Sequence, residues 1–230
     1  VSSAASDVYK RQDLGGFYLD IVKDRQYTTP ANSLARRSAQ TAMYHILAAM
    51  VRWFAPILSF TAEEIWQYIP GTDQNSVFLS SWYHALEPLA EHEAMNYQYW
   101  AMVRQVRDAV NKVLEGYRNQ GMFKSLLAIS VTIYGDTKLL TLLRSLGAEL
   151  HFVLLTADAY VMHSTAKPEQ ALLLDIPNLE AWLSFTVLTT QKCKRCWHLS
   201  ASVGQAQDHP DICERCVTNL SGAAESRAYA

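Results

Sequence analysis

The spacing of apolar residues predicts a long helix from Asn32 to Phe54. Apolar side chains recur there at intervals of three and four, which places them on one helical face. These residues are Ala39, Met43, Ile46, Leu47, Met50 and Phe54. The span contains no acidic residue but carries Arg36, Arg37 and Arg52, which gives it a basic surface. Pro56 is expected to end or kink the helix.

Two more helices are predicted before residue 120. Thr61 and Glu64 have the spacing of a capping box, so a short helix is expected to begin at Thr61 and continue to Tyr68. Residues 71–90 have the composition of a loop, and a long helix is predicted from about Met95 to Arg118. Together these segments predict a bundle of antiparallel helices.

After Gly121 the pattern changes to a small α/β unit. β-branched residues predict a strand over Leu126–Tyr134, and Lys138–Leu146 is expected to form a short helix. Further strands are predicted over His151–Thr156, Tyr160–His163 and Trp182–Thr190.

Composition limits the functional classes without choosing among them. Half of the 230 residues are hydrophobic, which is ample for a buried core. The net charge of −2 and the pI near 6.4 give no general sign of nucleic-acid binding, so an RNA partner must be argued from local features. Neither a membrane-spanning apolar run nor a secretory signal is found in the sequence, and the cysteine pattern favours a reducing, cytoplasmic location.

Four cysteines in two close pairs predict a structural zinc site. Cys193 and Cys196 form one CxxC knuckle, and Cys213 and Cys216 form the other. Two such knuckles supply the four corners of a tetrahedron and leave no position for water. An iron centre and a pair of redox disulfides are the alternatives. His198 and His209 lie close by in sequence, but four thiolates need no histidine.

Trp197 and Arg195 are candidate RNA contacts beside the first knuckle. An exposed tryptophan stacks on unpaired bases, and a guanidinium binds a base or a phosphate. The alternative for Trp197 is that it covers the zinc site as part of a small core. Arg36 and Arg37 in the first long helix, and Arg104 and Arg107 in the second, are candidates for phosphate contacts. Simple solvation of these four arginines is the alternative.

Two separated segments resemble bacterial isoleucyl-tRNA synthetases. The first is DLGGFYLDIVKDRQYTT (residues 13–29) with WFAPILSFTAEEIW (residues 53–66), which is similar to the anticodon-binding domain of the isoleucine, valine, leucine and methionine enzymes. The second is KCKRCWHL with HPDICERCVTNLSG (residues 192–199 and 209–222). It is similar to the C-terminal zinc ribbon of the isoleucine enzymes, a type shared with formamidopyrimidine-DNA glycosylases. LHFVLLT (residues 150–156) is also similar, and the resemblance covers nearly all of residues 13–230.

The resemblance implies a function in recognising the isoleucine tRNA. The helical bundle would grip the anticodon stem, and the ribbon would lie at the anticodon loop, where Arg195 and Trp197 match contacting residues. The four cysteines match the zinc ligands. The ATP-binding HIGH and KMSKS motifs and the editing domain of the family are absent from this chain, so we expect no aminoacylation by the chain alone. Leu127 stands where the family usually has glutamate.

The sequence as a whole predicts a mainly α fold with three parts. A helical anticodon-binding domain is expected over residues 13–120, a small α/β junction over 121–190 and a four-cysteine zinc ribbon over 191–230. Residues 1–12 resemble translated adapter sequence and are expected to be an artefactual or disordered leader. A monomer with one zinc ion is expected. The rival hypotheses are a zinc ribbon of a DNA-repair enzyme and a protein-interaction module whose zinc is purely structural.

Overall fold

A computed structural model of the protein describes the backbone of residues 8–72 and 76–230 and the side chains from Asp13 onward. Its helices are α1 (Asp20–Thr28), α2 (Leu34–Phe54), α3 (Ser59–Trp66), α4 (Tyr97–Asn119), α5 (Thr137–Arg144), α6 (Leu150–Leu154) and α7 (Glu214–Leu220). Its strands are β1 (Ile129–Gly135), β2 (Asp158–His163), β3 (Leu172–Leu173) and β4 (Trp182–Val187). None of the helices in these ranges is both long enough and apolar enough to cross a membrane.

The two long predicted helices are confirmed, and each has a side-chain cap. The Ser33 side chain accepts a hydrogen bond from the Arg36 amide at the start of α2. The Asn96 side chain does the same for Tyr99 at the start of α4. Such caps satisfy backbone N–H groups that have no partner within the helix. A π-helical segment, Val8–Leu19, leads directly into α1. Residues 1–7 and 73–75 lie outside the described residues, as do the side chains of residues 8–12. The artefactual or disordered leader proposed over residues 1–12 therefore stays a prediction.

The predicted capping box at Thr61 is wrong. Helix α3 already begins at Ser59, so Thr61 lies inside it, and no side chain caps its first turn. Glu63 is the acidic residue with a structural role here. Its carboxylate accepts hydrogen bonds from the Ser76 hydroxyl at 2.9 Å and the Val77 amide at 3.0 Å, which fixes the segment after α3.

The helical arm, which comprises α2, α3 and the 3₁₀ turn Val77–Leu79, has a thin core. The residues of α2 that are buried are mostly alanines: Ala35, Ala39, Ala48, Ala49 and Val51. Of the predicted apolar stripe, Ala39 is buried and Leu47 is exposed. Small residues let neighbouring helices approach closely but remove little apolar area from water. Many large apolar side chains of the arm therefore stay at the surface, and Phe60 is 93% exposed.

The junction contains a four-stranded mixed sheet in the order β2-β1-β4-β3. The central strand β1 pairs in parallel with β2, where Val131 lies opposite Ala159, and antiparallel with β4, where it lies opposite Phe185. The predicted strand from Leu126 begins only at Ile129, because Leu126–Ala128 forms a 3₁₀ turn.

The predicted strand His151–Thr156 is wrong, because the segment forms helix α6. Phe152, Val153 and Leu154 are all buried, and Leu155 ends the helix in the left-handed conformation with a φ of 57°. The Thr156 amide then donates to the His151 carbonyl, which closes the turn. A short run of buried apolar residues fits either a strand or a helix, so periodicity could not distinguish them.

The main core joins the last long helix to the sheet. Val106, Val110 and Leu114 of α4 pack in one cluster with Ile133 of β1 and Leu183 of β4. This core crosses residue 121, the boundary that we predicted between the helical domain and the junction. The boundary itself stays a prediction, but α4 shares its apolar face with the sheet.

Candidate zinc centre and RNA-binding surface

The four cysteines converge on one point at the centre of the ribbon, which we define as residues 191–220. Their sulfur atoms all lie within 4.8 Å of one another, and all four side chains are buried. The Cys193 and Cys216 sulfurs are 3.8 Å apart, and those of Cys196 and Cys213 are 3.7 Å apart. A tetrahedron with Zn–S bonds of about 2.3 Å has sulfur–sulfur edges of roughly 3.8 Å. The donor set therefore fits a zinc ion.

The close approach of the sulfurs perturbs the ionisation of the thiols. Hydrogen bonds from Cys213 and Cys216 lower the pKa of Cys196 well below its ordinary value. The same contact with Cys196 raises the pKa of Cys213 to about 11. Four thiolates this close together repel one another, and a bound divalent ion would stabilise them by its charge. The ion is structural, because four sulfurs fill its coordination shell.

Few apolar side chains support the centre of the ribbon. The apolar side chains packed against the cysteines are Val203 and Ile212, both partly exposed. Among the described residues, the ligand group contains the four cysteines and neither His198 nor His209. His198 instead packs edge-on against the His151 and Phe152 rings of α6. This contact places the ribbon against the junction.

Trp197 projects from the first knuckle into solvent. Its side chain is 61% exposed and lies outside the buried cysteine cluster. Its backbone has a φ of 68°, a conformation that is uncommon for a bulky residue. The Lys192 ammonium lies 5.4 Å from the ring centroid, on its face. Of the two alternatives, this geometry supports a stacking surface rather than a cover for the zinc site.

The Trp197 ring borders a groove of about 680 Å³ between the ribbon, α1 and the end of α4. Tyr27, Lys124 and Arg118 are exposed residues of the same groove. Leu127 also lines it. The groove therefore combines two exposed aromatic rings and four cationic side chains with the carboxylates of Asp20 and Asp24. Rings and cations together are features of sites for single-stranded nucleic acid. Tyr27 and Lys124 were not predicted from the sequence, because neither stands out until α1 and the ribbon are brought together.

Arg195 lies in this groove, but one end of its guanidinium is already bound. Its Nη1 donates to the Thr28 carbonyl at the end of α1, at 2.6 Å. Arg36 makes a weaker contact of the same kind with the Thr29 carbonyl, at 3.5 Å. Cations at a helix C-terminus are favoured by the helix dipole and by its free carbonyl groups. These two arginines therefore have structural partners in the protein.

The other three candidate arginines lie in different settings. Arg37 is exposed on α2. Arg104 pairs with Asp13 and lies over the Tyr97 ring. Arg107 is only 4% exposed and packs on the Phe17 ring, and burial lowers its pKa. A guanidinium at this depth cannot reach a phosphate, so we remove Arg107 from the set of candidate RNA contacts.

Comparison with known families accounts for most of the chain. Residues 1–133 match the anticodon-binding domain of tRNA ligase. The chain belongs to this family. A second match covers residues 191–219 and is described as a zinc finger found in FPG and IleRS.

Relatives of this chain include isoleucine–tRNA ligases. Those of Nitrosococcus oceani and Pseudomonas putida (strain GB-1) are 50% identical to it over 218 and 219 residues. That of Marinomonas sp. (strain MWYL1) is 49% identical over 219 residues. Each alignment covers 95% of this chain but only 23% of the relative. The chain therefore corresponds to about a quarter of those proteins.

Proposed function

We propose that this chain is the tRNA-binding part of a bacterial isoleucine–tRNA ligase and that it binds the anticodon stem-loop of the isoleucine tRNA. The main support for this proposal is the exposed Trp197 ring at the edge of a cation-lined groove. Anticodon bases are unpaired, so they can leave their stack and lie against an aromatic ring. The 49–50% identity to isoleucine–tRNA ligases supports this choice of RNA.

The aromatic rings and the cations of the groove have different tasks in this proposal. Trp197 and Tyr27 offer rings for unpaired bases, while Lys124 and Arg118 attract the phosphates beside them. The free part of the Arg195 guanidinium faces the groove as a hydrogen-bond donor. The exposed Arg37, with Arg36 and Arg104, extends the phosphate contacts along the helices. Binding would select the tRNA and orient its acceptor end, and ATP-dependent ester formation would belong to other parts of the ligase.

The test is the affinity of the zinc-loaded chain for two RNA stem-loops at two salt concentrations. One carries the isoleucine anticodon, and the other is identical except for a swapped anticodon. We expect preference for the isoleucine anticodon, and a fall in affinity with salt because phosphate contacts release counterions. Trp197→Ala should cost roughly 1–3 kcal/mol of binding, the range for loss of base–aromatic stacking.

Trp82→Ala is the matched control, because Trp82 is equally exposed but lies outside the groove. Equal affinity for the two stem-loops would refute anticodon recognition and leave a structural zinc ribbon, the alternative function.

We also propose that the protein acts as a monomer in the cytoplasm, where a reducing environment keeps the four thiols free to bind metal. Sedimentation of the zinc-loaded chain tests the oligomeric state.

A further inference from the structure

An arginine from each zinc knuckle contacts the same helix, α1. Each knuckle carries an arginine immediately before its second cysteine: Arg195 in the first and Arg215 in the second. Arg195 binds the Thr28 carbonyl at the end of α1. Arg215 reaches Asp24, one turn earlier, and donates from Nη1 and Nη2 to its two carboxylate oxygens at 2.7 and 2.8 Å. The zinc centre is therefore attached to α1 at two points.

The Asp24–Arg215 pair is shielded and belongs to a balanced group of charges. Arg227 also donates to Asp24, at 2.9 Å, and Glu225 accepts from Arg215 at 3.0 Å. Burial raises the pKa of Asp24, but the hydrogen bonds and charges of Arg215 and Arg227 outweigh it and hold that pKa below its ordinary value. The Phe152 ring of α6 lies against both guanidinium groups. Removing either partner would upset this balance of charges, which is costly for side chains that are mostly buried.

The same helix forms one wall of the proposed anticodon groove. Asp24, Tyr27 and Thr28 of α1 line it on one side, and Arg195 and Trp197 of the ribbon line it on the other. The wall carrying Trp197 is thus connected to the wall carrying Tyr27 through the zinc knuckles and their arginines. A displacement of about 1 Å is enough to weaken a binding site that depends on such placement.

We infer that Asp24 and Arg215 are positioning residues for anticodon selection: their bidentate pair holds the zinc ribbon at the spacing from α1 that lets Trp197 and Tyr27 engage the same RNA loop. The inference rests on the proposed function. Neither residue needs to touch a base, because the pair acts through the placement of Trp197. Arg195 then has two roles, as a donor to α1 and as part of the groove surface.

The experiment compares Asp24→Asn, Arg215→Gln and the double variant with the unchanged chain, all loaded with zinc. For each we measure affinity for the isoleucine and swapped-anticodon stem-loops, bound zinc, and hydrogen exchange of the ribbon amides. Each single variant should lower the affinity ratio between the two RNAs roughly tenfold, within the range for coupled sites. Zinc should remain at one per chain, and exchange should rise in the ribbon. The double variant should lose less than the sum of the two single losses, because the Asp24–Arg215 pair is broken in all three.

Asp211→Asn is the matched control, because it removes the exposed Lys194–Asp211 pair of the same ribbon. It should leave the affinity ratio unchanged. An unchanged ratio in Asp24→Asn and Arg215→Gln would overturn the inference while the proposed function stands. Loss of zinc together with selectivity would overturn it too, since the pair would then act on the metal site. Absence of any preference in the unchanged chain would refute the proposed function itself, and the inference with it.

Discussion

The junction sheet and the zinc ribbon are neighbours that are stabilised in opposite ways. The junction buries large aliphatic side chains from two helices and the sheet, including Ile129, Leu143 and Leu183. The ribbon has four cysteines with Val203 and Ile212 at its centre. Burial of aliphatic area stabilises the first, whereas the second depends on metal coordination. The candidate RNA surface therefore lies on the ribbon, which has the smaller apolar core and depends on metal coordination.

The largest expected effect is that of zinc removal. A chelator with a reductant should unfold residues 191–220 while the junction sheet stays folded, because structural zinc supplies roughly 10 kcal/mol or more in small domains. Hydrogen exchange resolved by segment is the measurement. Restored protection after zinc is added back is the control. Equal loss of protection in β1 and β4 would show that the two regions are one cooperative unit.

A cavity in the sheet should have the next largest effect. Ile133→Ala removes a fully buried side chain and should lower the free energy of unfolding by about 3 kcal/mol. The matched change in the ribbon, Val203→Ala, should cost about 1 kcal/mol or less, because that side chain is only partly buried and the metal dominates. Urea unfolding monitored at both regions measures the two values. Similar losses at the two sites would contradict the contrast between the regions.

The seam between the two regions should be sensitive to acid. Burial, and to a lesser degree the charge of neighbouring His198, lower the pKa of His151 from 6.5 to about 4. The imidazole therefore binds a proton more readily in the unfolded chain than in the folded one, so protonation favours unfolding. Stability should be complete above about pH 6.5 and should fall as the pH drops towards 4, with roughly 2 kcal/mol lost between pH 7 and 5. Urea unfolding of the zinc-saturated chain at these two pH values measures the loss.

His151→Gln provides the control for this pH effect, because it removes the titrating ring. Its stability should change less between pH 7 and 5 than that of the unchanged chain. An identical pH dependence in the two proteins would assign the effect to other groups. Zinc content must be measured at both pH values, since thiolates lose metal when they are protonated.

The smallest effect is expected for the ion pair between α4 and the segment after β3. Lys112 and Asp175 are 2.9 Å apart, but their side chains are 72% and 82% exposed. Asp175→Asn should therefore change the stability of the junction by less than about 0.5 kcal/mol. Thermal unfolding at low and high salt checks this. A larger loss would show that the junction depends on surface charge as well as on its core.

The sequence predicted the elements that carry a strong local signal. Helices α2 and α4 begin within two residues of their predicted positions, because the spacing of their apolar residues marks them. The two CxxC knuckles predicted the cysteine cluster. Helix α6 was missed because a short apolar run has no usable period, and Arg107 was misassigned because its burial depends on Phe17 from a distant segment. The groove could not be predicted, since Tyr27 and Trp197 meet only in the folded chain.

The pair between Asp24 and Arg215 joins positions 191 residues apart. A contact of such separation forms late in folding, because the ends of a long loop must be brought together before any favourable energy is gained. During synthesis, the anticodon-binding helices leave the ribosome well before the second knuckle. We therefore expect the groove to be the last feature to assemble, only after both knuckles are complete and have bound zinc. A cell short of zinc would then accumulate chains that have folded helices and no finished RNA-binding surface.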